Sequence, residues 1–413
     1  MSLLHEVKRV ARFLRRPIGP PAGRFSFISS TLDPDDIKMA IELLGRDGQV
    51  KATGDCEKFH DEFAAWNGSR FAFSFSAGRV ALSAIIHALG LVPGDEVVIP
   101  GYTCIVVLNA FRFAGLRVRF CDIELDTYGL DAKCLSRAIG ASTKAVMLHH
   151  LYGLVCRDYD SIYDLANKFN LRVIEDCAHS TGAMHRGARI GTRGDAAFYS
   201  SEYSKIFNTR MGGVAVTNDP GIAAGIKRFY ELCDICDDRT VRRQLAALIG
   251  SYYQHKHNPH ILARFNLWRL SPQEVRSTQP DELNGVQPKG YASRMPQEIA
   301  AIARNQLKKI DAYNSRRRKA AERWNEWCIT RGYTPPLVLA ETIPVFLRYP
   351  VLVEPERKLD LSWSRREVRA DVGNWFTSQA HPTAIVVPGC PKAEEAVKRC
   401  INLPTLLNGH CDD

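Results

Sequence analysis

Long apolar runs are absent from this chain of 413 residues. No stretch of about 18 residues is free of charge, which excludes a membrane-spanning helix. Residues 1–17, MSLLHEVKRVARFLRRP, have no uninterrupted apolar centre, so a secretory leader is not expected. They read as a basic segment, either a frayed terminus or an amphipathic helix suited to an acidic partner or membrane surface. Cys233 and Cys236 form a CxxC with no second pair at zinc spacing, so neither a zinc nor a redox site is expected there. Internal repeats, low-complexity tracts and any DNA- or RNA-binding signature are missing too, and no nucleic-acid partner is expected.

What is there describes a globular chain. Hydrophobic residues make up 45% and charged residues 24%, and the length suits a large domain plus a smaller one. A net charge of +10 suits an anionic ligand such as a sugar nucleotide. The basic residues are dispersed, and the run Arg316, Arg317 and Arg318 reads as a solvated helix face. The 12 cysteines are irregularly spaced, several inside apolar runs, as buried reduced thiols of a cytoplasmic protein would be.

Between residues 71 and 218 short apolar runs alternate with helical stretches. FAFSF (71–75), EVVIP (96–100), RVRFCDI (117–123), KAVMLHH (144–150), LRVIEDC (171–177), DAAFYS (195–200) and GVAVTN (213–218) read as strands. Helical spacing fills 79–90, 103–115, 131–140 and 158–170. Such alternation predicts an α/β fold with a mostly parallel central sheet flanked by helices. Residues 231–288 mix aromatics, His and Asn without a clear period and read as an insertion. One long helix is expected after Met295, then a smaller α+β part with a strand at 348–354, a helix around 365–377 and a strand at 400–405. The expected divisions are a basic segment 1–26, a large α/β domain 27–230, the insertion 231–288 and a small C-terminal domain 289–413.

In sheets of this kind ligands bind beyond the strand ends, and four polar pieces fall there. SFSAGRVAL (74–82) places Gly78 and Arg79 in a small-residue turn ahead of a helix, where backbone N–H groups and the helix dipole suit a phosphate. VIEDCAHSTGA (173–183) ends an apolar strand with Asp176, costly to bury without a cation, and with His179 three residues on. AAFYSSEYSK (196–205) follows a strand with Ser200, Ser201 and Ser204, then Lys205, whose neutral amine would attack a carbonyl. GYTC (101–104) offers Tyr102 or Cys104 to pack on a flat ring. Singly, each has an ordinary reading: a βα turn, a capping aspartate, a surface lysine, core packing. Together, a phosphate cradle, a carboxylate for a pyridinium nitrogen, a packing residue and a Schiff-base lysine describe a site for pyridoxal 5'-phosphate.

At these residues the chain resembles the DegT/StrS-type family of nucleotide-sugar aminotransferases, which are fold-type I pyridoxal phosphate enzymes. The resemblance runs from about residue 27 to 405, through GLVPGDEVVIPGYTC, DIELDTYGLD, TKAVMLHHLYG, VIEDCAHSTGA, DAAFYSSEYSK, GGVAVTND, GYASRM and INLPT. It implies that Lys205 holds the cofactor and moves the proton, and that Asp176 keeps the ring nitrogen charged. By the same resemblance His179 lies beside the ring, and Gly78, Arg79 and Ser200 bind the phosphate. It further implies a homodimer whose sites borrow the loop GYASRM (290–295) from the neighbour. The chain departs from the pattern in Arg79 for the usual Thr, Cys104 for an aromatic residue and Ala292 for an Asn. The implied activity is transfer of an amino group from an amino acid, glutamate first, to a nucleotide-linked keto-sugar for surface polysaccharide or secondary metabolites. The alternatives are a non-nucleotide cyclic ketone as acceptor, or a non-catalytic regulatory or scaffold subunit.

Overall fold

Apolar runs bounded by turn residues build the centre of the protein. The computed structural model describes residues 31–45, 54–256 and 278–406, residues 369 and 371 excepted. The basic segment 1–26 and positions 257–277 of the expected insertion lie outside the described residues. Seven strands form the main sheet: β1 Phe71–Phe75, β2 Glu96–Pro100, β3 Arg117–Cys121, β4 Thr143–His149, β5 Arg172–Asp176, β6 Ala196–Ser200 and β7 Gly213–Thr217. Their order is β1-β7-β6-β5-β4-β2-β3. From β6 to β3 all neighbours are parallel, whereas β7 is antiparallel to both β6 and β1. The turn-back of β7 has a local cause: no crossover helix separates it from β6, so the chain can only return alongside.

Strands β2, β6 and β7 are buried at every position, as expected when helices cover both faces. On one face lie α3 (Gly78–Ala88), α4 (Ile105–Phe113) and α7 (Pro220–Leu232). Val80, Ile85, Leu108 and Ile226 from these helices pack on Val97, Ile99, Ile174 and Phe198. The other face is shared. Towards β4, helices α5 (Ala132–Ala138) and α6 (Tyr159–Lys168) set Leu135, Ile162 and Tyr163 on Val146, Leu148 and Val173. Towards β7, α2 (Asp55–Asn67), α8 (Asp238–Lys256) and α9 (Gln297–Leu307) set Phe59, Phe63, Leu245, Leu248 and Ile299 on Tyr199, Val214 and Val216. Each such side chain contributes about 1.5–3 kcal/mol through burial.

The long helix expected after Met295 is two helices, α9 and α10 (Ile310–Thr330), broken at Lys308 and Lys309. At the break Lys309 Nζ donates to Asp35 Oδ1 at 3.0 Å and Asp36 Oδ2 at 2.7 Å, in the first turn of α1 (Pro34–Gly45). Arg317 on α10 is not solvated as expected; it is 1% exposed. The helix expected around 365–377 is only Ser364–Glu367, because Gly373 exchanges two backbone hydrogen bonds with Asn402 instead. Strands β8 (Tyr349–Leu352) and β9 (Cys400–Leu403) pair antiparallel, with α11 (Pro391–Arg399) beside them. Their core of Tyr349, Val351, Ala393, Ile401 and Leu403 also takes in Tyr102, Tyr128 and Tyr152 from the strand-end loops of the main sheet. This smaller α+β unit therefore closes over the strand ends. Among the described residues no helix is long and apolar enough to cross a membrane.

Candidate active site

Strand alternation turns Glu175 and Asp176, neighbours at the end of β5, to opposite faces. Asp176 lies opposite His149 of β4 in register. Its Oδ1 accepts one hydrogen bond, from Ala178 N–H at 2.9 Å. The side chain keeps some contact with solvent but lies deep, and this desolvation pushes its carboxyl up to about 6 against the pull of Ala178 N–H, Lys205 and His150. An anion so placed favours a cation beside it.

Lys205 stands in the segment joining β6 to β7. That segment is tied by Ser201 N–H to Gly212 O at 3.0 Å and Thr209 Oγ1 to Ser201 Oγ at 2.6 Å. Glu202 Oε2 accepts from Ser204 N–H and Oγ–H at 3.1 and 2.6 Å, and Lys205 N–H donates to Glu202 O at 2.9 Å. Lys205 is half-buried. Its ammonium acts electrostatically on Asp176, Cys104, His179 and His381, which puts these five residues in one neighbourhood.

Helix α3 begins at Gly78 with no side-chain cap, so its first N–H groups are open to an anion. Ser200, at the end of β6, packs against Gly78 there. Gly213 must be glycine, because a Cβ on it would overlap the Ala77–Gly78 peptide. Arg79 completes this corner. Its Nε is 2.5 Å from Glu282 Oε1, a wholly buried carboxylate on a segment 203 positions later. In the loop GYASRM, Ser293 O accepts from Ser76 N–H at 2.9 Å, so the loop borders this turn within its own chain.

Of the two candidates for a ring-packing residue, the fold brings Cys104 to the neighbourhood and sends Tyr102 elsewhere. Burial raises the Cys104 thiol, which also feels Lys205, Asp176 and Arg79. Tyr102 is wholly buried in the smaller core, its hydroxyl 2.9 Å from Tyr152 Oη and its ring 4.5 Å from Phe376. His179 Nδ1 accepts from Tyr152 N–H at 3.3 Å, which leaves the proton on Nε2. Burial, with Lys205, His149 and Arg348 nearby, holds this imidazole well below the ordinary histidine range.

Three residues near Lys205 had no signal in the sequence. Trp375 stacks on His179 at 4.5 Å, and both Lys205 Nζ and Arg348 Cζ lie 5.2 Å from its ring centroid. His381 pairs in register with Cys104, and its ring is held down to about 4 by burial, Lys205 and Lys358. All three come from the last 66 positions, brought in by tertiary folding alone.

Residues 31–409 match the DegT/DnrJ/EryC1/StrS aminotransferase family. The chain belongs to that family. The GDP-perosamine synthase of Caulobacter vibrioides is 39% identical over 204 residues, 49% of this chain and 55% of that protein. The chain thus spans about half the length of the GDP-perosamine synthases it matches. The L-glutamine:scyllo-inosose aminotransferase of Streptomyces griseus is 28% identical over 303 residues, 72% of this chain and 62% of its own. Among solved structures, DesV of S. venezuelae, determined in complex with a ketimine intermediate, superposes with a TM-score of 0.69 at 24% identity, over 90% of this chain and 88% of that one. That likeness shows a shared fold.

Proposed function

We propose that this chain is a pyridoxal 5'-phosphate-dependent aminotransferase that moves an amino group from an amino acid, glutamate in our reading, to a nucleotide-linked keto-sugar. Family membership and the likeness to GDP-perosamine synthases support the class of reaction and acceptor. One observation carries the reading most: Lys205, Asp176, Cys104 and His179 share one neighbourhood, next to the uncapped start of α3 with Ser200 and Arg79. These residues fit the cofactor. The open N–H groups of Gly78 and Arg79, the Arg79 guanidinium and the Ser200 hydroxyl would hold its phosphate. Asp176 would face its ring nitrogen, Cys104 and His179 its ring, and Lys205 its aldehyde.

When bound, the cofactor supplies an aldehyde carbon that takes and gives amino groups and a ring that accepts electrons. The chain's residues do the rest. Burial makes the Asp176 carboxylate unstable as an isolated anion, so it favours a protonated ring nitrogen opposite it. Lys205 Nζ would hold the cofactor and, as a neutral amine, would take up and give back the proton that transamination moves. His179, protonated on Nε2, would offer the ring a neutral donor. Trp375 lies against the lysine, its ring centroid 5.2 Å from Nζ. We read the protein as a cytoplasmic homodimer with shared active sites; the GYASRM loop also borders the phosphate turn of its own chain.

The purified protein should be yellow, and Lys205→Ala should lose both the visible absorbance and transamination. Full turnover by Lys205→Ala would end this reading. The likeness to a scyllo-inosose aminotransferase favours a second acceptor class, cyclic ketones without a nucleotide. Loading the enzyme with amine from glutamate, then offering nucleotide keto-sugars and free cyclic ketones in parallel, separates the two.

A further inference from the structure

Near the C-terminal end of the expected insertion lies the short helix Pro280–Leu283. Three ties hold it to segments that carry site residues. Glu282 O accepts from Asn109 Nδ2 at 2.5 Å, a wholly buried side chain on α4, the helix that starts after Cys104. Leu283 O accepts from Thr383 Oγ1 at 3.3 Å, just beyond His381. The Glu282 carboxylate meets Arg79 Nε at 2.5 Å, in the first turn of α3. The GYASRM loop borders the same place: Tyr291 stands edge-on to Phe113 of α4, with ring centroids 5.5 Å apart, and its hydroxyl feels both Arg79 and Glu282.

Glu282 has no exposed surface, and its Oε2 accepts from Gln279 N–H at 3.0 Å at the start of its own helix. Its Oε1 gains no aligned hydrogen bond, so what it gives Arg79 is negative charge at close range. Among the described residues Glu282 is the one acid paired with Arg79, whose side chain is 15% exposed. The Cys104 thiol feels Arg79 together with Lys205 and Asp176, so the guanidinium reaches the site. An arginine engaged through Nε keeps both terminal NH2 groups for a second anion.

We propose that Glu282 is a positioning residue: it aims Arg79 at the cofactor's phosphate and makes retention of the cofactor depend on the end of the insertion. This rests on the aminotransferase reading and gives residues 280–283 a part in it. Two effects of Glu282 oppose one another. Its charge offsets part of the arginine's, which alone would loosen a phosphate. Its position fixes a long side chain before the phosphate arrives. Position outweighs charge here, because a guanidinium without its acid would turn to water through its exposed edge rather than stay buried.

The test titrates the full-length cofactor-free protein with pyridoxal 5'-phosphate and, separately, with pyridoxal, which lacks the phosphate. The visible absorbance of the bound aldehyde gives each Kd. Glu282→Met should bind pyridoxal phosphate about tenfold more weakly and pyridoxal as wild type does. Glu282→Gln, which keeps an acceptor without the charge, should fall between. In an Arg79→Thr background neither change should weaken pyridoxal phosphate further, because no guanidinium is left to aim. Pyridoxal phosphate held by Glu282→Met as tightly as by wild type, or more tightly, would overturn the proposal. An equal loss for pyridoxal, the mark of general damage, would overturn it too. Should Glu282→Met not fold, wild-type or tighter binding of pyridoxal phosphate by Glu282→Gln would do the same. A wild-type protein that takes up no pyridoxal phosphate would sink the aminotransferase reading and this proposal with it, whereas a yellow wild type with indifferent variants sinks the proposal alone.

Discussion

The two faces of the sheet at the end of β5 carry adjacent carboxylates that the fold treats in opposite ways. Glu175 is wholly buried and accepts five hydrogen bonds: from His150 Nε2 at 3.2 Å, Tyr159 Oη at 3.1 Å, Tyr163 Oη at 2.7 Å, and the N–H groups of Gly191 and Gly194, both at 2.9 Å. His150 Nδ1 accepts from Cys156 N–H at 3.2 Å, which leaves Nε2 as the donor. Although burial alone would raise it, the Glu175 carboxyl ends at about 2, because these partners, His150 first, favour the charged form. Asp176, one residue on, has a single backbone donor and stands at about 6. Burial is common to both; the number of donors is what differs. A carboxylate satisfied by its own protein holds the structure together, and one left short of partners is ready for a ligand.

The largest break in this contrast should come from Asp176→Asn. It removes the anion opposite the ring nitrogen, so turnover should fall about a thousandfold in a transamination assay, in line with the loss of one preorganised charge. Stability of the cofactor-free protein at neutral pH should stay or rise, because an unfavourable buried charge has gone. Next comes Glu175→Gln. Its amide sets a donor against donors, and the protein should lose about 3 kcal/mol or more in denaturant unfolding. A loaded Glu175→Gln protein as stable as wild type would erase the distinction drawn here.

A smaller effect sharpens the comparison through pH. The Asp176 value is raised from 3.8 to about 6, so its folded state binds the extra proton, and stability should fall as pH rises from 3.8 through 6. The Glu175 value is lowered from 4.5 to about 2, so its contribution is complete above 4.5 and lost as pH falls towards 2. Unfolding free energy of the cofactor-free protein against pH should show both slopes, with Asp176→Asn removing the first and Glu175→Gln the second. The mildest perturbation is Tyr163→Phe, which deletes one of five donors and should cost about 1 kcal/mol with turnover unchanged.

Most of the main sheet was readable in advance. The runs at 71–75 and 96–100 became strands over the same residues, and the others shifted at their ends by one or a few positions. Period and turn residues act over a few neighbours, and a strand buried on both faces leaves a plain apolar run. The same reach explains the errors. Arg317 looked solvated because its run of three arginines sits on a helix, yet the path of α10 beneath Ile206 buries it. The break at Lys309 depends on acids more than 270 positions away. GYTC offered two packing residues, and nothing local told which would face Lys205; the smaller core drew Tyr102 into its own aromatic cluster and left Cys104 at the site.

Sequence alone determined the order of strands and helices, the types of side chain at the strand ends and the family to which they point, because each is written in short stretches of chain. Only the tertiary structure decided which distant side chains meet at the site. Glu282 on Arg79, Arg348 beside Trp375 and His381 against Cys104 all join positions far apart in the chain. Charges meet through space, and their separation along the chain says nothing of it until the smaller unit has folded over the sheet.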